Sequence, residues 1–253
     1  MGGAMPLFAE GLLQMRIPTL ALALAAVAAL GLSSVPVASA APPQCADLSG
    51  VMGANQTCQI QASDPAYALN ISYPVDYPDF QSVFDYVKQT RDGFLNVANM
   101  PGPHYMPYEL DTTTTQFTSA VPPRGTRSLV FKTFQDVGGA HPQTFYKSFN
   151  WDQGTRKPIQ IDTGGSDKIQ PLFRPGANPW PLIFPVVQSE LEKQSGQPVA
   201  IAPQVGLDPA TYQNFAITND AVIFFFSQGE LLPEAAGALQ VSVPRGPIDA
   251  MIA

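Results

Sequence analysis

Three features of the sequence predict an α+β fold. Short segments with two-residue alternation read as strands, two longer stretches with a 3.6-residue period read as helices, and 26 prolines keep the elements short. The expected architecture is a mixed or antiparallel sheet with two main amphipathic helices set apart from the strands.

Taken in order, residues 41–56 are short and polar and predict an arm carrying Cys45. Thr57–Ser63 and Tyr67–Tyr73 alternate, with Ile60, Tyr67, Leu69, Ile71 and Tyr73 on one face, and predict two strands around the turn Asp64-Pro65. Phe80, Val83, Phe84, Val87, Phe94 and Leu95 follow helical spacing after Pro78, so a helix runs to about Asn99. Tyr108–Ala120 is Thr-rich without a helical period and predicts an extended strand, followed by a turn at Pro122-Pro123-Arg124-Gly125. Arg127–Val137 and Gln143–Asp152 predict a hairpin around Gly138–Pro142. A short strand is expected at Pro158–Ile161. Leu182, Ile183, Val186, Val187 and Leu191 define a second helix, closed by Gly196. Phe215–Thr218 and Ala221–Phe226 pair across Asn219-Asp220. The run Val222–Phe226 is apolar on both faces, which predicts a central buried strand. Leu239–Val243 is a last strand and Pro247–Ile252 a short helix.

The N-terminus reads as a targeting segment. Arg16 precedes the apolar run Leu20–Leu32, and Ala38-Ser39-Ala40 has the small-x-small pattern of a cleavage site. As a helix that run would span about 20 Å at ~1.5 Å per residue, short of the ~30 Å hydrocarbon core. The expected product is a signal peptide at 1–40 cleaved after Ala40, a secreted chain with no stable membrane anchor, and two parts at 41–125 and 126–253. Met15 is an alternative start. In an exported chain the isolated pair Cys45 and Cys58 reads as a disulfide.

Composition excludes several functions. The net charge of −7 argues against a nucleic-acid partner. Two His and two Cys leave little material for a zinc or iron–sulfur site, and no metal or cofactor is expected. The sequence contains no G-x-S-x-G, H-E-x-x-H or P-loop pattern, and no catalytic residue is assigned. His104 lies in a stiff Pro-flanked loop and reads as surface structure. His141 follows Gly138 and Gly139 in a hairpin loop, where a ligand can approach the backbone, or where the glycines simply make the turn. Glu230 follows the buried strand, either as a turn carboxylate or as a member of one site with His141.

Several stretches resemble a known family: Ser63–Tyr67, Pro122–Thr126, Gly138-Gly139 through His141-Pro142, Phe149–Gln153 and Val222–Gly237. They are similar to the secreted immunogenic antigens of pathogenic mycobacteria. The C-terminal half is similar to the extracellular domain of lysozyme-sensing anti-sigma factors, through the Gly138–His141 loop and the segment Phe226–Gly237. The resemblance implies an α+β fold with a β-grasp-like part, secretion, antigenicity and no established enzymatic activity. Gly138, Gly139, His141 and Glu230 are then candidate partner-binding residues. The leading expectation is a non-enzymatic secreted protein that binds a host or cell-envelope partner. A lysozyme-binding or lysozyme-inhibiting module is the alternative. A cell-wall glycan hydrolase using His141 and Glu230 comes third.

Overall fold

Alternation converts directly into pairing along the first half of the chain. The computed structural model describes residues 43–102, 106–120 and 125–253. The expected signal peptide, His104 and residues 122–124 of the expected turn lie outside the described residues. The large sheet contains β1 (Val51–Met52), β2 (Thr57–Ser63), β3 (Tyr67–Pro74), β4 (Tyr108–Ser119), β5 (Thr126–Asp136), β6 (Gln143–Asp152), β7 (Lys157–Gln160) and β8 (Gln170–Pro171), in sequential order. A second sheet holds β9 (Phe215–Ile217), β10 (Ala221–Phe226) and β11 (Leu239–Pro244), with β10 in the middle. The helices are α1 (Pro43–Asp47), α2 (Phe80–Ala98), α3 (Trp180–Ser195) and the single turn α4 (Pro203–Gly206). The fold is α+β.

β3 and β4 are parallel, so the chain must cross over between them, and α2 is that crossover. Its Val83, Val87 and Phe94 are buried against Ile60, Leu69, Ile71, Leu110, Leu129 and Phe131 of the large sheet. In this unit β2–β3 and β4–β5 hold one long helix against a single sheet face. Asn99 ends α2 by donating from Nδ2 to the Leu95 carbonyl at 2.8 Å.

The opposite face of the large sheet carries the small sheet, and α3 covers the small sheet in turn. Along β10, Val222, Phe224 and Phe226 join Ile183, Val187 and Leu191 of α3 in one cluster. Phe225 and Ile223 point the other way, against Val130, Phe117 and Tyr146. This layering explains why the strand is apolar on both faces; burial of each such side chain is worth about 1.5–3 kcal/mol.

The N-terminal arm is more structured than expected. Cys45 and Cys58 form a disulfide, both are fully buried, and with Leu48 they draw α1 and β1 onto the β2–β3 hairpin. A Cβ at Gly50 would lie 2.6 Å from Cys58 Sγ and 2.9 Å from the Cys45 carbonyl, so only glycine passes there. The expected boundary at 125 falls between β4 and β5, which pair from Glu109–Asp136 to Ser119–Thr126. It therefore divides neighbouring strands of one sheet, and the described residues all fall in one compact unit.

The two sheets are joined by side chains reaching strand edges. The N–H groups of Phe215 and Ile217 in β9 each donate to a serine of the large sheet, Ser148 Oγ and Ser128 Oγ, both at 3.0 Å. Asn150 Nδ2 donates to the Phe215 carbonyl at 2.9 Å. In return, the N–H groups of Thr144, Tyr146 and Ser148 along β6 donate to Gln228 Oε1, Ser227 Oγ and Asn214 Oδ1 at 3.0–3.2 Å. Each buried donor left unpaired costs about 1–3 kcal/mol. The double variant Ser128→Ala/Ser148→Ala is therefore expected to lower unfolding free energy by about 2–6 kcal/mol on the same scale, measured by urea titration. A change below about 1 kcal/mol would mean that these serines do not hold the small sheet.

Candidate functional site

The tip of the β5–β6 hairpin is built by glycine geometry. Gly138 has φ +71°, and its N–H donates to Asp136 Oδ1 at 3.0 Å. A Cβ at this position would stand 2.8 Å from the Tyr108 ring, whereas one at Gly139 would meet open space. Gly138 is thus required by the turn, and Gly139 is not.

Beyond the glycines, His141 is exposed and lines two adjoining hollows of about 300 and 390 Å³. The opposing wall is the connection between β10 and β11. Gln228 anchors it, donating from its N–H to the Thr144 carbonyl at 2.9 Å and from Nε2 to the Pro142 carbonyl at 3.3 Å. Glu234 of this connection lines both hollows, and Phe134 floors one of them.

Glu230 lines neither hollow. Its Oε2 accepts the Ser227 N–H at 2.6 Å, and its own N–H donates to the Ser227 carbonyl at 3.0 Å, so it closes a tight turn. The residue is exposed as a whole, but burial of its carboxyl pushes the pKa above the ordinary glutamate value, opposed by the bonds from Ser227. Gly229, at φ +81°, folds the chain back so that Glu234 lies against it, 3.2 Å from where a Cβ would stand. The carboxylate that shares a groove with His141 is therefore Glu234, and the pairing of His141 with Glu230 is replaced.

A further concavity, of about 490 Å³, lies on the polar face of β2–β4, beyond the reach of the small sheet. Gln61 Nε2 donates to Asn70 Oδ1 at 3.4 Å, and Asn70 Nδ2 donates to Asp111 Oδ1 at 2.6 Å. Glu109 is the second carboxylate of this wall. In the β4–β5 register Asp111 faces Phe134 and Glu109 faces Asp136, which places this acidic face one strand from the floor of the His141 groove. The two-residue alternation of Glu109, Asp111, Thr113 and Thr115 is the sequence signal for this wet face. Glu234 had no such signal.

None of the side chains lining the two hollows at His141 is a serine, threonine or cysteine. Among the described residues no group of three or more His, Cys, Asp or Glu is placed to hold a metal ion. No described helix is long and apolar enough to cross a membrane.

Over 218 residues the chain is 55% identical to the immunogenic protein MPT64 of Mycobacterium tuberculosis, spanning 86% of this chain and 92% of that one. The figures for the immunogenic protein MPB64 of Mycobacterium bovis are the same. The chain belongs to the MPT64/MPB64 family of immunogenic proteins. Another relative of this family member, an esterase of M. tuberculosis named Rv3036c, is 52% identical over 211 residues, covering 83% of this chain and 89% of that one. Residues 171–246, from β8 into the loop after β11, match DUF3298, a family described as protein of unknown function. Two solved members of that family share the fold. One, from Bacteroides fragilis, has TM-score 0.53 at 15% identity over 80% of this chain and 95% of its own. The other, from Pseudomonas aeruginosa, has TM-score 0.51 at 12% identity over 78% and 94%.

Two outcomes test this description. Gly138→Ala should cost about 1–3 kcal/mol through left-handed strain and the Tyr108 contact, while Gly139→Ala stays within about 0.5 kcal/mol; urea titration separates them. Because Glu230 is raised in the folded state, its favourable contribution is complete below the unfolded glutamate value of about 4.3 and is lost as pH rises through the folded value. Glu230→Gln keeps the Ser227 N–H bond and should flatten that loss in a series of unfolding midpoints against pH; an unchanged profile would contradict the assigned burial.

Proposed function

We propose that this family member is an exported, non-catalytic binding protein whose partner docks in the groove between the β5–β6 tip and the β10–β11 connection. The observation that carries this is the convergence of His141, Glu234, Gln228 and Phe134 on adjoining hollows lined by no serine, threonine or cysteine. Without a serine, threonine or cysteine the groove lacks the hydroxyl or thiol with which serine- and cysteine-type esterases form their acyl-enzyme. A groove with an imidazole, a carboxylate, an amide and an aromatic floor is equipped for recognition instead. Export is supported by the N-terminal segment, by the buried disulfide and by the naming of the relatives as immunogenic proteins. The partner is a host or cell-envelope protein. A cationic one is favoured by the charge of −7 and by the adjacent Glu109–Asp111 face, which steer such a partner inward. Lysozyme is the cationic candidate to test first.

The second reading is ester hydrolysis, and the 52% identity to a relative named esterase is what favours it. Under the binding reading, p-nitrophenyl butyrate is hydrolysed no faster than in buffer. Saturable turnover stopped by a serine-directed phosphonate would replace that reading with hydrolysis at a serine outside the His141 groove. For binding, calorimetric titration with lysozyme should give a saturable heat that is lost in His141→Ala and Glu234→Gln. Absence of heat at about micromolar concentration removes lysozyme as the partner. Full heat in both variants removes the groove.

A further inference from the structure

The two sheets end in four outer strands, and three of these are closed to further pairing. β1 and β8, at the ends of the large sheet, are two residues long each, and the outer edge of β9 is served by Ser128 and Ser148. Short outer strands and covered edges are how folds prevent strand addition. β11 has neither protection. It pairs with β10 in unbroken register from Leu239 to Pro244, carries no charged residue and meets no strand on its other side.

The register shows which groups this edge presents. Gln240 and Ser242 stand opposite Phe225 and Ile223, and Phe225 donates its N–H to the Asn214 carbonyl on the β9 side. By the alternation of an antiparallel ladder, the backbone groups of Gln240 and Ser242 point away from β10. The Gln240 carbonyl accepts from Gln194 Nε2 of α3 at 3.0 Å, which agrees with that direction. The two N–H groups and the Ser242 carbonyl have no partner among the described residues. One exposed glutamine side chain thus stands where a strand would pair.

A hollow of about 650 Å³ adjoins the same edge. Gln194 and Leu239 line it together with Leu191, Val199, Leu232 and Ala236, and none of its lining residues is charged. Leu239, Val241 and Val243 face α3. In an added strand the residues beside these three face α3 as well, and the one beside Leu239 points toward the hollow.

We propose that β11 binds an extended, uncharged peptide segment of a partner protein as the fourth strand of the small sheet, with an apolar side chain seated in this hollow. Backbone bonds to Gln240 and Ser242 hold the segment, the hollow selects the side chain, and Gln194 yields the Gln240 carbonyl to the incoming strand. A second copy of this chain is the poorer occupant. Its own Leu239, Val241 and Val243 are already packed in its core, so β11 paired to β11 brings no side chain to the hollow.

The test titrates the mature, oxidised protein with a capped hexapeptide of alternating leucine and threonine, followed by two-dimensional amide NMR and hydrogen exchange. Saturable shifts are expected at the amides of Gln240 and Ser242, and exchange of these two N–H groups should slow about 10-fold or more at saturation. The same peptide N-methylated at every amide keeps its side chains but has no N–H, and should bind about 10-fold or more weakly. Ser242→Pro removes an N–H that pairing with β10 does not use, and Ala236→Trp fills the hollow from an exposed position. Each should weaken binding by about 10-fold or more, with the unperturbed spectrum of the remaining residues verifying the fold. No saturable shift up to about 1 mM peptide overturns the proposal. Undiminished binding of the N-methylated peptide, or of the parent peptide to Ser242→Pro, overturns it as well. Protection of Gln240 and Ser242 that rises with protein concentration in the absence of peptide overturns it in favour of a second copy. None of these outcomes depends on what docks at His141.

Discussion

The structure depends on a reciprocal exchange between strand edges and side chains. β9 has one edge against β10 and one edge against no strand, and the same is true of most of β6. Neither edge is left open. Ser128, Ser148 and Asn150 serve the backbone of β9, while Asn214, Ser227 and Gln228 serve the backbone of β6. Edges of this kind invite strand addition unless they are covered. Here each sheet covers the other, and the apolar contact of Phe225 with Val130 and Tyr146 lies between the two sets of bonds.

That exchange also positions the groove. Gln228 uses its backbone and its side chain on Thr144 and Pro142, so the β10–β11 connection is tied to the very hairpin whose tip presents His141. Glu234 reaches the groove because Ser227–Glu230 is first tied into a turn and Gly229 takes a left-handed backbone. A second tie closes the far end of the interface, where buried Arg245 donates to Asp249, to the Ser119 hydroxyl and to the Thr218 carbonyl. Breaking such a buried guanidinium network leaves an uncompensated charge, which costs more than the bonds themselves contribute.

Local pattern made the elements legible. Thr57–Ser63 spans the same residues in sequence and structure, α2 begins at Phe80, and the two-faced run Val222–Phe226 is the middle strand of its sheet. Packing across long sequence separations was not legible. Nothing in residues 41–56 announces α1 or β1, because these form only when the buried disulfide and Leu48 bring the arm onto β2. The boundary expected at 125 follows a Pro-rich stretch, and connections inside hairpins have the same composition as linkers. At the site, Gly138 was legible as a turn glycine and His141 as its exposed neighbour. The choice between Glu230 and Glu234 hung on a four-residue turn whose hydrogen bonds leave no periodic trace. Asn150 gave no signal at all, since its role, the bond to the Phe215 carbonyl, joins residues 65 positions apart.

The sequential order of the large sheet has a consequence for a protein delivered N-terminus first. Every strand of that sheet pairs with its neighbour in sequence, and the disulfide closes within the first described residues. The small sheet, by contrast, is tied to the large one across 65 to 126 residues. Contacts between near neighbours form sooner than contacts that must close long loops. An emerging chain can therefore assemble its platform while the last forty residues are still in transit. During that interval β6 presents a bare row of amides, and Val130 and Tyr146 face water. The C-terminal sheet acts in this sense as a built-in chaperone for the strands that precede it, and a chain cut short before Asn214 keeps the adhesive surface that the complete chain hides.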